Sequence, residues 1–217
     1  MDSKLPEAPA IADCDTATTN WTPIYDAFIA RLRAAGVGRR APKPGERFPA
    51  FALPDDRGRY RTLGDLLGGG PLVLSFNRGG WCPYCRAELA GWAERLGALG
   101  AANGRFVSIA GEVGGRAERL HAMIGAAAAV LCDVDHGLAL ALGLAFCCDA
   151  DLQRRYRACG LDLAEIYGGG GGFLPVPATF VLDRDGIVRF AFVDPDFRQR
   201  ADPDTVLAAV RALAAAG

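Results

Sequence analysis

Two cysteines three positions apart, Cys82 and Cys85, stand in the stretch "NRGGWCPYCRAEL" (residues 77–89), directly after the apolar run "PLVLSF". Three chemistries suit a C-x-x-C pair: a redox couple, half of a metal site, or two small buried hydrophobes. The flanking residues separate them. An apolar run followed by a glycine-bearing loop reads as a strand end, and Pro83 suits the first position of a helix, so Cys82 falls at a helix N-terminus. Free N–H groups and partial positive charge there favour thiolate over thiol, and Arg78 and Arg86 are close in sequence. Cys85 follows one turn later on the same side, so attack by Cys82 on a substrate can be followed by an internal disulfide. Structural zinc needs four ligands, and no second C-x-x-C exists. Only a convergence of Cys132, Cys147, Cys148, Cys159, His121 and His136 would complete a metal site, so no metal is expected. The polar loop before Cys82 argues against deep burial of the pair. Redox chemistry is the reading that fits.

The elements that must position the pair follow from periodicity. "PLVLSF" reads as a buried strand, Cys82 to about Leu99 as a helix and "RFVSIAG" as a second strand. A helix over about Arg116–Ala127, a strand in "AAVLCDV" and a short helix in "DHGLALALGLA" come next, then a helical or irregular insertion from Cys147 to Tyr167. "FALPDDRGRYRTL" and "PATFVLDRDGIVRFAFVD" read as hairpins, the second turning at Asp185 and Gly186. Asp202 and Pro203 open a last helix. Upstream, "TPIYDAFIARLRAAG" forms a helix capped by Thr22 and ended by Gly36, and "VGRRAPKPGERFP" reads as a linker. The expected organisation is an N-terminal extension over 1–40 with one helix, and an α/β domain over 41–217 with a central mixed sheet flanked by helices.

Composition narrows the function classes. Basic and acidic residues number 24 and 25, which gives no electrostatic reason to expect nucleic acid or an anionic membrane as partner. No apolar run is long enough to span a bilayer. Seven cysteines, an odd number, do not read as the disulfide framework of a small secreted domain, and the N-terminus has no signal-peptide pattern, so a reducing cytoplasm is expected. Cys147, Cys148 and Cys159 could form an auxiliary disulfide or relay, but ordinary packing or exposed thiols are expected, and His121 and His136 are expected as helix-face and helix-start residues. The "GGGGG" at 168–172 has no Lys or Ser/Thr partner and no G-x-G-x-x-G exists, so no phosphate-bearing cofactor is expected. A homodimer is allowed but not specified.

"WCPYC" after an apolar strand, joined to "VPATFVLDRDG" far downstream, resembles the thioredoxin fold, whose cis-proline loop faces the C-x-x-C pair. More narrowly, "PLVLSFNRGGWCPYCRAEL", "LPVPATFVLDRDGIVRFAFVDPDF" and the following "RADP" are similar to the peroxiredoxin-like branch of the AhpC/TSA family, collinearly over roughly residues 42–215. The resemblance implies a thioredoxin-like fold and thiol-based reduction of hydroperoxides, with electrons returned by a dithiol reductant such as thioredoxin. By it Cys82 is the attacking thiol, Cys85 the resolving one and Pro177, after Val176, the cis-proline. Arg78 is then placed to hold a peroxide or stabilise the thiolate, and Trp81 to cover the site or anchor its loop. Peroxiredoxins carry Thr or Ser three residues before the attacking cysteine. That position is Gly79 if Cys82 attacks and Cys82 itself if Cys85 attacks, so the order of the two stays open. The acid that thioredoxins keep six residues before the first cysteine is Phe76, and the late strand starts at Pro177 without the family's arginine. A general thiol-disulfide oxidoreductase, or a non-catalytic redox sensor docking through its N-terminal helix, are the alternatives.

Overall fold

The structure, a computed structural model, describes residues 20–169 and 172–215. Helix α1 (Trp21–Ala34) is capped by Asn20, whose side-chain oxygen accepts the Thr22 N–H at 3.2 Å, so the cap lies two residues before the expected Thr22. Trp21, Tyr25, Phe28, Ile29 and Leu32 recur at helical spacing and bury one face. Strands β1 (Ala52–Pro54) and β2 (Tyr60–Thr62) pair as the expected hairpin, and a Thr62/Asp65 capping box opens α2 (Leu63–Leu67).

The chain then runs β3 (Leu72–Phe76), α3 (Pro83–Ala93), α4 (Leu96–Ala101), β4 (Arg105–Ala110), α5 (Arg116–Ile124), β5 (Ala129–Cys132), and α6 (Gly137–Ala141). It continues through β6 (Ala145–Cys147), α7 (Ala150–Ala158), α8 (Leu163–Tyr167), β7 (Phe173–Pro175), β8 (Ala178–Leu182), β9 (Val188–Val193) and α9 (Pro203–Ala215). A five-stranded sheet takes the order β5-β4-β3-β8-β9, with β3, β4 and β5 parallel and β8 antiparallel to both β3 and β9. Every residue of central β3 is buried, because helices cover both faces; this is why the strand reads as an unbroken apolar run rather than an alternation. On one face α3, α4, α5 and α9 pack Leu89, Trp92, Leu99, Leu120 and Val210 against Val73, Phe106 and Val181. On the other, α2 and α6 meet Leu74, Phe76, Ile109 and Phe180.

Two expectations change. The helix after Cys82 breaks between Ala93 and Leu96, where "ERLGALG" places Gly97 and Gly100 in the continuation and lowers its helix propensity. Arg95 fastens the break by donating to Gly91 O at 3.1 Å and pairing with Asp204 of α9 at 2.8 Å. The Cys147–Tyr167 insertion resolves into α7 and α8, bracketed by a separate two-stranded antiparallel pair, β6 and β7, each only three residues long. The glycine run lies partly outside the described residues.

Candidate active site

The loop between β3 and α3 is fixed before the cysteines are reached. Buried Asn77 donates its amide to Ser108 Oγ at 2.7 Å and accepts the Gly79 N–H at 2.9 Å, bending the chain out of the sheet. Gly79 has φ +101°, and Gly80 N–H donates to the buried Glu112 carboxylate at 3.1 Å. Pro83 occupies the first turn of α3 and Cys82 is its N-cap, as the spacing predicts. Cys85 lies one turn on.

Both cysteines are fully buried, contrary to the expectation from their polar loop. An aromatic layer drawn from distant parts of the chain covers them: Trp21, Tyr25 and Phe28 of α1, Tyr156 of α7, Tyr167 of α8 and Phe197 share one cluster with Trp81, Cys82, Cys85 and Val176. Trp81 both covers and anchors, since its indole N–H donates to Tyr167 Oη at 2.8 Å and that hydroxyl donates to Arg78 O at 2.6 Å. Pro177 is buried at the entry to β8, beside the site loop by register, because Ala178 pairs with Phe76. It is not a cis-proline: no peptide bond among the described residues is cis. Val176 N–H donates to Leu144 O at 2.8 Å, so the chain passes from β7 into β8 without the tight turn that a cis bond serves.

Arg78 is 1% exposed, with its guanidinium carbon 4.5 Å from the Trp81 ring centroid and 4.3 Å from that of Phe197. Nη2 donates to Tyr156 Oη at 2.9 Å, while Nε and Nη1 have no hydrogen-bond partner among the described residues. A second arginine reaches the pair from the loop before α9: Arg200 donates through Nη2 to Cys85 Sγ at 3.2 Å and through Nε to Glu88 Oε2 at 2.6 Å. Glu88 also accepts from Ser75 Oγ at 2.8 Å, and Cys85 Sγ accepts the Arg78 N–H at 3.3 Å. The sulfurs are thereby made unequal. Burial opposes ionisation of Cys82, but the Cys85 thiol's hydrogen bond and the Arg78 and Arg200 charges overcome it and bring the Cys82 thiol down to about 6. Burial and the adjacent Cys82 charge push Cys85 well up. Burial also raises Glu88 and Glu112 to about 7. Two buried carboxyls, Glu88 and Glu112, and a second arginine, Arg200, thus stand close to the cysteine loop.

Sequence reasoning missed Glu88, Glu112, Arg200, Tyr25, Tyr156 and Tyr167. Glu88 carried a local signal, its place one turn beyond Cys85 on the same helical face, and Arg200 opens the quoted "RADP". Among the remaining cysteines, Cys132 is half-buried, Cys147 exposed, and Cys148 buried with its thiol pushed up to about 12 by desolvation. Cys159 is disulfide-bonded, so for it the alternative of an auxiliary disulfide holds over the packing or exposed thiol expected. Among the described residues no group of His, Cys, Asp and Glu is arranged to hold a metal, and no helix is long and apolar enough to cross a membrane.

The charge asymmetry has a direct readout. Ultraviolet thiolate absorbance is expected to titrate with a midpoint of about 6, and to lose that step in Cys82→Ser. A first midpoint at the ordinary thiol value would show that the two arginines do not activate the thiol.

A mixed sheet with a C-x-x-C pair at the N-terminus of the helix that follows its central strand defines a thioredoxin-like protein. The AhpC/TSA family profile matches residues 44–191, and the chain belongs to that family. Solved structures with the same fold include a peroxidoxin BcpB from Mycobacterium tuberculosis, with a TM-score of 0.61 at 22% identity over 79% of this chain and 98% of that one. A cysteine-to-serine mutant of the peroxiredoxin 6 of Arenicola marina gives a TM-score of 0.61 at 17% identity, covering 77% of this chain and 71% of that one. Peroxiredoxin Q from Xanthomonas campestris gives 0.57 at 21%, covering 76% and 91%. No curated protein matches the chain.

Proposed function

We propose that the protein is a thiol peroxidase that reduces hydroperoxides through a Cys82–Cys85 dithiol/disulfide cycle. The observation that carries this reading is the placement of two buried cysteines at the N-terminus of α3, with Cys85 Sγ accepting from Arg200 Nη2 at 3.2 Å and from the Arg78 N–H at 3.3 Å. The Cys82 thiolate attacks the nearer peroxide oxygen; the O–O bond breaks, Cys82 becomes a sulfenic acid, and the departing alkoxide takes a proton to leave as alcohol. The unpartnered Nε and Nη1 of Arg78 are free to hold the peroxide and meet the charge on the leaving oxygen. Cys85 then gives its thiol to the sulfenic acid, forming the disulfide and releasing water. A dithiol donor such as thioredoxin returns two electrons and restores both thiols.

Burial favours this over general thiol-disulfide exchange, since a protein disulfide has to bring its own sulfur onto Cys82, whereas a peroxide needs only a small opening. Mass spectrometry after a stoichiometric peroxide pulse tests the cycle: the expected product is an intrachain Cys82–Cys85 disulfide. A main product joining Cys82 to Cys148 or to another chain would reassign the resolver. Insulin reduction without peroxide turnover would move the assignment to an oxidoreductase.

A further inference from the structure

Helix α1 lies outside the 44–191 family match, yet it roofs the cysteine cluster. Its apolar face, Trp21, Tyr25, Phe28, Ile29 and Leu32, is buried, and the rings interlock with three other parts of the chain. Trp21 stacks on Tyr156 of α7 at 5.6 Å, Tyr25 meets Phe197 edge-on at 5.0 Å, and Phe28 meets Phe146 of β6 at 5.4 Å. Ion pairs from Asp26 to Arg198, Arg31 to Asp149 and Arg33 to Asp194 tie the outer side of the helix to the same body. Lifting α1 would return five apolar side chains to water, so the helix stays in place while the cysteines react. What can move is a single ring. Interiors are close-packed, with few voids larger than a water, so nothing reaches the 0% exposed Cys82 and Cys85 until a side chain turns. Trp21 stands at the end of the roof, and its buried indole N–H has no hydrogen-bond partner among the described residues to hold the ring.

We propose that α1 makes the site selective by size: Trp21 and Tyr25 admit hydroperoxides and thiols of low molecular mass and bar protein thiols, so that a small dithiol returns the electrons. Thiol–disulfide exchange needs the donor sulfur at bonding distance, about 2 Å, from a sulfur of the Cys82–Cys85 disulfide. A protein thiol carries its own backbone to that point, and even a single extended strand fills about 5 Å by 10 Å in cross-section, a width that no ring rotation clears. A small dithiol needs only the gap left by one turned ring. Its thiolate attacks one sulfur of the disulfide, the Cys82–Cys85 bond breaks, and the displaced cysteine takes a proton. The donor's second thiol then attacks its own sulfur in the mixed disulfide, so the donor leaves as a ring disulfide and the second cysteine is restored. Two electrons and two protons pass from donor to site. This narrows the donor of the cycle from dithiols in general, thioredoxin included, to small ones.

This selection rests on the proposed dithiol cycle but is tested apart from peroxide turnover. The full chain is oxidised with diamide, the Cys82–Cys85 disulfide is verified by peptide mapping, and its reduction is followed with dithiothreitol or reduced thioredoxin at equal thiol concentration. On an open disulfide thioredoxin is the faster donor, because its attacking thiol has a pKa of about 7. Here dithiothreitol is expected to be faster by about tenfold, and an equal or higher rate with thioredoxin would overturn the proposal. The second arm needs no disulfide. In the reduced protein the exposed Cys147 serves as reference for each reagent's own reactivity. Cys82 is expected to fall about a hundredfold further behind Cys147 when methyl methanethiosulfonate is replaced by fluorescein maleimide. Trp21→Ala and Tyr25→Ala are each expected to recover about tenfold of that gap, and Tyr25→Phe to keep it. A Cys82-to-Cys147 ratio that is the same for both reagents would overturn the roof, and this wild-type ratio decides even where a variant does not fold. Size discrimination without hydroperoxide turnover would sink the peroxidase reading and leave the roof standing; turnover with thioredoxin as the faster donor would do the reverse.

Discussion

Cys82→Ser is expected to reduce hydroperoxide turnover by about a thousandfold or more, whereas Cys85→Ser is expected to spare the first oxidation and halt the cycle after it. A serine hydroxyl is not ionised near neutral pH, so the positive field of Arg78 and Arg200 has no nucleophile to activate. With Cys85 replaced, Cys82 is oxidised once and waits as a sulfenic acid for want of a resolver. Dimedone trapping after a peroxide pulse checks this order: the label belongs on Cys82 in the Cys85→Ser protein. Label only on Cys85 in the Cys82→Ser protein would reverse it. The geometry makes that reversal a sharp test, since Cys85 Sγ is the sulfur that directly accepts from Arg200 Nη2 and the Arg78 N–H.

Gly79→Ala is expected to cost roughly 2–4 kcal/mol of folding stability, against about 1 kcal/mol or less for the neighbouring Gly80→Ala. Gly79 holds φ +101°, where an L side chain is strained, and a Cβ there would lie 2.2 Å from the Glu112 carboxyl carbon. Glu112 would have to leave, giving up the Gly80 N–H and its packing against the loop. A Cβ on Gly80 meets Leu120 at 3.4 Å, an ordinary contact. Denaturant unfolding measures both, and Glu112→Ala combined with Gly79→Ala should recover the collision part of the loss. Strict additivity of the two would mean that backbone strain alone explains the effect.

What local chemistry writes into a sequence was legible here. The apolar run of β3, the Asp185–Gly186 turn and the Pro83 helix start each depend on a few adjacent residues, and each stands where its pattern predicts. Strands β6 and β7 escaped because three residues carry no period, and their pairing spans an insertion. Deep burial of the cysteines escaped for a related reason: the polarity of residues 77–80 says nothing of what packs above them, and the covering rings come from α1, α7, α8 and Phe197. Glu88 looked like any polar helix residue until Ser75 and Arg200 closed on it. Glu112 comes from the loop after β4, which carries no local sign of the site, whereas Arg200 opens the "RADP" stretch but only the fold brings it onto Cys85 and Glu88.

The long reach of Arg200 also sets an order of events in biosynthesis. Its contacts with Glu88 and Cys85 span 112 and 115 residues, and β3 cannot complete its pairing until β8, over a hundred positions later, has been made. Such non-local closure is slow compared with helix formation, and a nascent chain emerges at only about 5–20 residues per second. For several seconds α3 can form with both thiols unshielded and without the second guanidinium. During that interval the cysteines are open to oxidants and to mispairing with Cys132, Cys147 or Cys148, so the yield of active protein should depend on keeping the nascent chain reduced until residue 200 has docked.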